Sequence, residues 1–423
     1  MKILILTYGS RGDVQPFVAL GKGLKESGHD VTLATSVRFQ SFVEDNNLRY
    51  GFMNDDMLSI LDTAQGKSIL ENTSNIFQTV RQTFKMMGQV GPMQRSLLSE
   101  SWTVAQNTDP DLIIFHPKAY AAPHIGEKLD VPVIMATPIP VFVPTAERPN
   151  IGFPDLKIGG WYNRQTYHMV NGLMGLSAKK HIKAFREACD LPKQSKFDLL
   201  HTPEGKDIPV LHAYSEKVIP EPADWPDSAK TTGYWFLDEG EDWQPPEELV
   251  TFLQNGPPPV YIGFGSMAGR DPERLAHVVV NALEKANLRG IIATGWGGLK
   301  PEELPETILQ IDHAPHAWLF PRMKAIVHHG GAGTTAAALR AGKPSVVVPF
   351  FGDQPFWGKR VHDLGVGSAP IPQKRLEVDE LVSALLKVTS DEDMIEAARI
   401  LGEQIRKEDG VKQAIAIINS PEI

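Results

Sequence analysis

The run His328-His329-Gly330-Gly331-Ala332-Gly333-Thr334-Thr335 has the residue types of a phosphate cradle. Glycines let an anion approach the backbone closely. Threonines cap a helix or donate to phosphate oxygens, and a histidine at the lip donates to the same atoms. A capped strand-to-helix turn without ligand would use the same residues, and both readings stand at this point. Far upstream, Asp13 and His116 each follow a short apolar run. Asp13 is either a helix N-cap or a general base at the mouth of a cleft. Arg11 either pairs with it or is solvated. A lone histidine is usually structural, but a histidine and an aspartate at the carboxyl ends of neighbouring strands make a candidate acid–base pair.

Three further groups could bind ligand. Val260-Tyr261-Ile262-Gly263-Phe264-Gly265-Ser266-Met267-Ala268 reads G-x-G-x-x-A after a strand. The acidic residue of a dinucleotide site is missing, since Glu284 falls in a helix pattern, so NAD is disfavoured and a phosphate near Ser266 is retained. Aromatics in the loops Gly295-Trp296-Gly297-Gly298 and Asp312 to Leu319 can stack on a base. Asp353 and Gln354 can hydrogen-bond several hydroxyls of a sugar. Histidines 313, 316, 328 and 329 raise a metal reading. The helix-borne i, i+4 spacing is absent, however, and no carboxylate sits at ligand spacing beside His328-His329, so no metal is expected.

The elements that must position these groups alternate. Ile3 to Thr7 reads as a buried strand, Val14 to Ser27 as a helix with Phe17, Leu20 and Leu24 on one face, and Asp30 to Thr35 as the next strand. Further strands are expected at 48–52, 111–116, 131–136, 209–213 and 232–236. Residues 55–107 read as mostly helical, and Phe77, Phe84, Met86, Met87 and Met93 either line an apolar pocket or pack as ordinary core. Prolines 138, 140, 144 and 149 mark a long irregular loop. The proline-rich, acidic stretch near 237–247 reads as a domain join. Beyond it, strands are expected at 260, 290–294, 308–311, 325–327 and 345–348. This is an α/β chain of doubly wound type, whose ligand-bearing loops gather at the carboxyl ends of the strands.

The 423 residues suffice for two or three domains, and hydrophobic (42%) and charged (22%) contents are those of a soluble globular protein. A net charge of -9 argues against nucleic acid as a partner. The one cysteine, Cys189, cannot form an internal disulfide and fits a reducing cytosol. No segment reaches the length of a membrane span, and the N-terminal apolar run is too short for a signal peptide, so a cytoplasmic location is expected.

Taken together, Gly9 to Pro16, Pro315-His316-Ala317-Trp318-Leu319, His328 to Thr335 and Phe351-Gly352-Asp353-Gln354 resemble the UDP-glycosyltransferases of family 1, in the branch of sterol 3-beta-glucosyltransferases and macrolide glycosyltransferases. The resemblance covers essentially the whole chain. It implies the GT-B fold, two Rossmann-like domains with parallel sheets facing across a cleft. Residues 1–237 would bind acceptor, 238–400 would bind nucleotide sugar, and a helix at 401–419 would pack back on the first domain. It implies Asp13 as catalytic base with His116 beside it, in the reverse order of the plant branch. Ser266, His329, Gly331, Gly333 and Thr334 match diphosphate contacts, and Ala332 is a further nucleotide-sugar candidate among them. His313, Ala314 and His316 match the segment beside base and ribose, which lacks the plant tryptophan at its start. Asp353 and Gln354 match sugar contacts, and Ser10, Arg11, Gly12 and Trp296 are further donor-site candidates.

The expected activity is inverting transfer of glucose from UDP-glucose, a co-substrate, to a hydroxyl of a bulky apolar acceptor such as a sterol, flavonoid or polyketide. No cofactor is needed. A dTDP-deoxysugar-dependent transferase, a sugar-nucleotide epimerase and a non-catalytic binder are the alternatives. A sterol acceptor would suit transient membrane contact, although no basic amphipathic helix stands out in the sequence. The acceptor and the oligomeric state are left open.

Overall fold

Ile3, Leu4, Ile5 and Leu6 are all fully buried, so the first strand is covered on both faces and reads as an unbroken apolar run rather than an alternating one. Successive side chains still part company: Ile3 and Ile5 enter one core, Leu4 and Leu6 the other. A computed structural model of the chain describes residues 1–62, 76–194, 198–238, 243–265, 272–293 and 304–420. The expected pocket residues Phe77, Phe84, Met86 and Met87 lie outside the described side chains, as do Ser266 and Trp296.

Contacts divide the chain into two units. The first holds the described residues up to Leu237 and again from Asp409, and the second runs from Asp238 to Glu408. In the first, β1 (Lys2–Leu6), β2 (Asp30–Ser36), β3 (Arg49–Met53), β4 (Leu112–Phe115), β5 (Val133–Thr137), β6 (Val210–His212) and β7 (Ala229–Thr231) form a parallel sheet ordered β3-β2-β1-β4-β5-β6-β7. In the second, β8 (Val260–Gly263), β9 (Gly290–Ala293), β10 (Ile308–Ile311), β11 (Ile326–His328) and β12 (Ser345–Val347) are ordered β10-β9-β8-β11-β12, again parallel. Each sheet reverses its winding once, at β1/β4 and at β8/β11. A crevice opens at such a switch point beyond the carboxyl ends of the strands.

Two expected elements differ. The strand placed at 232–236 lies at Ala229–Thr231 instead, because Gly233 takes a positive φ of 94° and ends the extended run. The helix placed at 401–419 is two helices, Glu392–Arg406 and Gly410–Ile418. The Asp409 carboxylate accepts from the Lys412 N–H at 3.0 Å and starts a fresh helix there. Only that last helix belongs to the first unit. It covers the first helix, Arg11–Glu26, with Ala414 and Ile418 in the core that holds Phe17, Leu20 and Leu24. Cys189 is buried.

The last helix meets the sheet-side chain so closely that its first residue has no room for a side chain. A Cβ at Gly410 would lie 2.5 Å from the Tyr234 carbonyl oxygen and 2.5 Å from the Gly233 carbonyl carbon. Backbone cannot step aside as a flexible side chain can. Gly410→Ala is therefore expected to lower stability by about 1–3 kcal/mol, read as an earlier midpoint in urea unfolding. An unchanged midpoint would show that this close approach is not needed.

Candidate active site

Asp13 and His116 are brought together by adjacent strands. Asp13 follows β1, His116 follows β4, and the two strands pair in register with Leu6 opposite Phe115. The ladder continues one residue further, the His116 N–H donating to the Leu6 carbonyl at 2.8 Å. The first helix begins at Arg11 with Ser10 as its N-cap. Asp13 is thus not the N-cap but the third helical residue, whose carboxylate reaches back to the cap. Its Oδ2 accepts from the Ser10 N–H at 2.7 Å, from the Ser10 hydroxyl at 3.0 Å and from Lys118 Nζ at 2.8 Å. Glycine is required beside it: with φ of +143°, a Cβ at Gly9 would lie 2.2 Å from that oxygen. The other oxygen, Oδ1, faces His116 Nε2 at 3.5 Å.

The protonation states follow from these contacts. Burial is the largest influence on Asp13 and opposes its charge. The Lys118 ammonium, His116 and the Ser10 N–H outweigh burial and hold the carboxyl below its usual range. Burial pushes His116 down to about 4, Asp13 opposing and Lys118 adding to the fall, so the imidazole is neutral near pH 7. Its Nδ1 accepts the Lys118 N–H at 3.2 Å, which leaves the ring proton on Nε2, toward Asp13. His116 therefore turns its Nε2 toward the carboxylate oxygen, 3.5 Å away. Its side chain is 5% exposed against 16% for Asp13, so Asp13 is the member that meets solvent. Phe17 holds the imidazole edge-on at 5.8 Å.

Arg11 does not pair with Asp13; it reaches Gln15 at 3.1 Å and lies 4.8 Å over the Phe42 ring. Gly12 and Ser10 are exposed in the same turn. Lys118 is the residue that sequence reasoning missed. It stands two positions beyond His116, and its one signal was a cation just past a strand end.

The second unit repeats the arrangement at its own switch point. His328 ends β11, and its Nδ1 accepts the Gly330 N–H at 3.1 Å. Fully buried and pushed down to about 3 by burial, it is neutral and pins the turn. Gly330 has φ of +89°, and a Cβ there would strike Val347 Cγ1 at 2.7 Å. Gly331 then caps the helix Ala332–Ala341. A glycine cap has no side chain, so the first-turn N–H groups at Ala332, Gly333 and Thr334 are left to an outside acceptor. The space over Gly333 is open. The His329 ring lies against both switch-point turns: a Cβ at Gly265, after β8, would be 3.2 Å from its Cε1, and one at Gly331 would be 2.5 Å from its Nε2. Burial pushes His329 down to about 4, so it offers a hydrogen bond rather than a charge. Such a turn suits a diphosphate.

The remaining expected donor residues are spread along the same strand ends. His313 is exposed and Ala314 buried. The His316 ring stacks on Phe320 at 4.2 Å. Gln354 is buried, and its Oε1 accepts from the N–H groups of Phe350 at 2.7 Å and Phe351 at 3.2 Å. That oxygen shapes the loop. Asp353 accepts from Trp357 Nε1 at 2.8 Å. A cavity of about 380 Å³ in the first unit is lined by Met174, Leu199, Ile208, His168 and His201. It also touches Val210 and Ala229, the first residues of β6 and β7, so it opens at the edge opposite Asp13.

Residues 3–146 match the glycosyltransferase family 28 N-terminal domain, and residues 292–412 match the erythromycin biosynthesis protein CIII-like C-terminal domain. The chain thus carries a glycosyltransferase family 28 N-terminal domain and an erythromycin CIII-like C-terminal domain. It is 39% identical to a sterol 3-beta-glucosyltransferase of Aspergillus terreus over 99% of this chain and 30% of the relative. The same enzyme of Emericella nidulans is 38% identical over the same shares. The chain thus spans about 30% of the length of those relatives. Among solved structures, the glycotransferase of kitacinnamycin superposes with a TM-score of 0.72 at 18% identity, covering 98% of this chain and 97% of that one. VinC, solved in complex with dTDP, gives 0.69 at 18% identity over 99% and 98%. These likenesses show the fold, GT-B with its two parallel-sheet units. Among the described residues no helix is long and apolar enough to cross a membrane.

Two outcomes follow from this geometry. Lys118→Met removes the largest influence that favours Asp13's charge and leaves burial opposing it. The Asp13 pKa then rises, and the acid limb of the pH profile of kcat/KM moves to higher pH. A profile unmoved by the change would show that Lys118 does not act on Asp13. Gly331→Ala suits the local backbone, with φ of −63°, but drives a methyl into His329. Affinity for a nucleoside diphosphate, measured by calorimetry with UDP and dTDP, is expected to fall about tenfold, the loss of one hydrogen bond to a charged group. Equal affinity would remove His329 from the diphosphate site.

Proposed function

We propose that this glycosyltransferase moves glucose from UDP-glucose to the hydroxyl of a bulky apolar acceptor of the sterol class, with inversion and with Asp13 as general base. The observation that carries the base assignment is the division of labour within one carboxylate. Oδ2 is held by three donors, Oδ1 faces His116 at 3.5 Å, and the Asp13 side chain keeps 16% of its surface exposed. In the proposed step the acceptor oxygen attacks the anomeric carbon. Its bond to that carbon forms as the bond from carbon to the UDP oxygen breaks, and the hydroxyl proton passes to Asp13. The nucleotide leaves with the bonding electron pair.

A carboxylate held below its usual pKa is a weak base toward a free alcohol. Transfer is feasible because the attacking oxygen becomes strongly acidic as its new bond forms. The developing charge on the leaving diphosphate is met by the first-turn N–H groups of Ala332, Gly333 and Thr334 and by His329. In this reading the first unit binds acceptor, the second binds nucleotide sugar, with Asp353 toward the sugar, and the reaction uses no metal ion. It works in the cytoplasm.

The sterol class is supported by likeness to sterol 3-beta-glucosyltransferases along nearly the whole chain. A second reading, a dTDP-sugar donor, is favoured by the dTDP-bound structures of VinC and the spinosyn rhamnosyltransferase SpnG. It weighs less, since those chains share 18% of residues against 39% for the sterol enzymes.

Nucleotide release is to be measured with UDP-glucose and dTDP-glucose against sterols, flavonoids and macrolides. Sterol-dependent release of UDP is expected, and Asp13→Asn is expected to lower kcat by about 10²–10⁴-fold with donor affinity retained. Turnover confined to dTDP-glucose would select the second reading. Full turnover by Asp13→Asn would remove Asp13 as base.

A further inference from the structure

Six of the twelve large apolar side chains exposed among the described residues fall within one stretch, 156–176. Leu156 (52%) and Ile158 (66%) sit in the loop that leads into the helix Gly160–Ala188. Trp161 (75%), Met169 (43%), Leu173 (48%) and Leu176 (60%) sit on the helix itself. At 3.6 residues per turn those four share about 120° of its circumference. The opposite side is satisfied: Tyr167, Ala178, Ile182 and Phe185 are buried in the first unit. The exposed face is therefore not a frayed core but a second apolar surface on a helix already packed. Isolated surface leucines need no explanation, whereas a contiguous apolar patch marks an interaction site.

Charge says which kind. Further along the same arc the helix turns basic, with Lys179, Lys180 and Lys183 exposed, and Lys157 stands exposed in the loop. Glu187 is the acid on that arc, 3.9 Å from Lys183. The chain as a whole carries -9, so an anionic surface would repel it everywhere except where such lysines gather. Apolar side chains led by a tryptophan, followed on the same face by lysines, match the boundary between acyl chains and anionic headgroups.

We propose that this face docks the enzyme on an anionic lipid bilayer. The surface stands on its own side chains; its purpose rests on the apolar acceptor proposed above, which partitions into bilayers. Docking would place the enzyme where such an acceptor is concentrated. The helical period of the apolar positions is diluted in the sequence by Gly172, Gly175 and Asn171, so the stripe emerges only once burial of the opposite side is known.

The test uses the intact chain without donor or acceptor. Sedimentation with vesicles of phosphatidylcholine and phosphatidylserine is compared with vesicles of phosphatidylcholine alone. Binding is expected to the serine-containing vesicles. Replacing Trp161, Leu173 and Leu176 together by serine should weaken it more than about tenfold. K179E/K180E/K183E should weaken it by roughly a hundredfold, from the charge of three lysines near the surface. Both variants should keep the wild-type unfolding midpoint and the wild-type turnover of a water-soluble acceptor. Failure of the wild type to bind either vesicle overturns the proposal, and so does equal binding by the variants. A concentration-dependent dimer, lost in the serine variant and seen without vesicle binding, would assign the face to a second copy instead. An inactive wild type that still binds vesicles would sink the transferase reading and leave the docking surface standing.

Discussion

A partly buried carboxylate at the end of a parallel sheet is unfavourable as an ion unless its neighbours are arranged to hold the charge, and Asp13 is so held. The Ser10 amide and hydroxyl, the Lys118 ammonium and the His116 ring all converge on it. Each comes from an element with its own reason to be there. Ser10 caps the first helix, His116 continues the β4 ladder, and Lys118 follows in the next turn. Gly9 supplies the room. The order β1 next to β4 is what makes these pieces neighbours, although about a hundred residues separate them in the chain. An ionised, oriented carboxylate with one oxygen occupied is the chemical product of that topology.

The two units use one device twice. In each, a histidine closes the strand beside the switch point, and its Nδ1 accepts the N–H of the residue two positions on. This bond fixes the turn and leaves the ring proton on Nε2. Burial keeps both rings neutral. In the first unit that proton faces Asp13. In the second the ring serves the turn, and the neighbouring His329 takes the place nearest the open helix end. Neutral imidazoles in both places avoid adding fixed positive charge, so the ammonium of Lys118 and the helix end carry the electrostatics.

An enzyme acting on an apolar acceptor faces a supply problem, because such molecules are scarce in water. Under the proposed function the helix Gly160–Ala188 answers it with two faces of different character, one built into the first unit and one left apolar and basic toward solvent. The candidate catalytic residues sit on strand ends and short turns of the sheet. The exposed face sits on a long helix outside the sheet, where its composition is free of the demands of the switch point.

The strands, the glycine-rich turn and the candidate base were legible from residue order alone, since each is written in a local pattern. An apolar run means a buried strand, Gly-x-Gly after it means a turn open to an anion, and a capping residue means a helix start. Locality also explains the misreadings. Asp13 as cap or third helical residue differs by three positions, and Asp409 could restart a helix only because Gly410 fits against Gly233 and Tyr234. Tertiary structure alone decided three matters. It set Lys118 on Asp13 and turned the His116 Nε2 toward the same carboxylate. It committed Gln354's oxygen to the loop backbone. It also left the Trp161–Leu176 face uncovered. All three depend on which strands lie side by side and which helix face the core consumes. Those choices follow from packing over long sequence separations, and no local pattern encodes them.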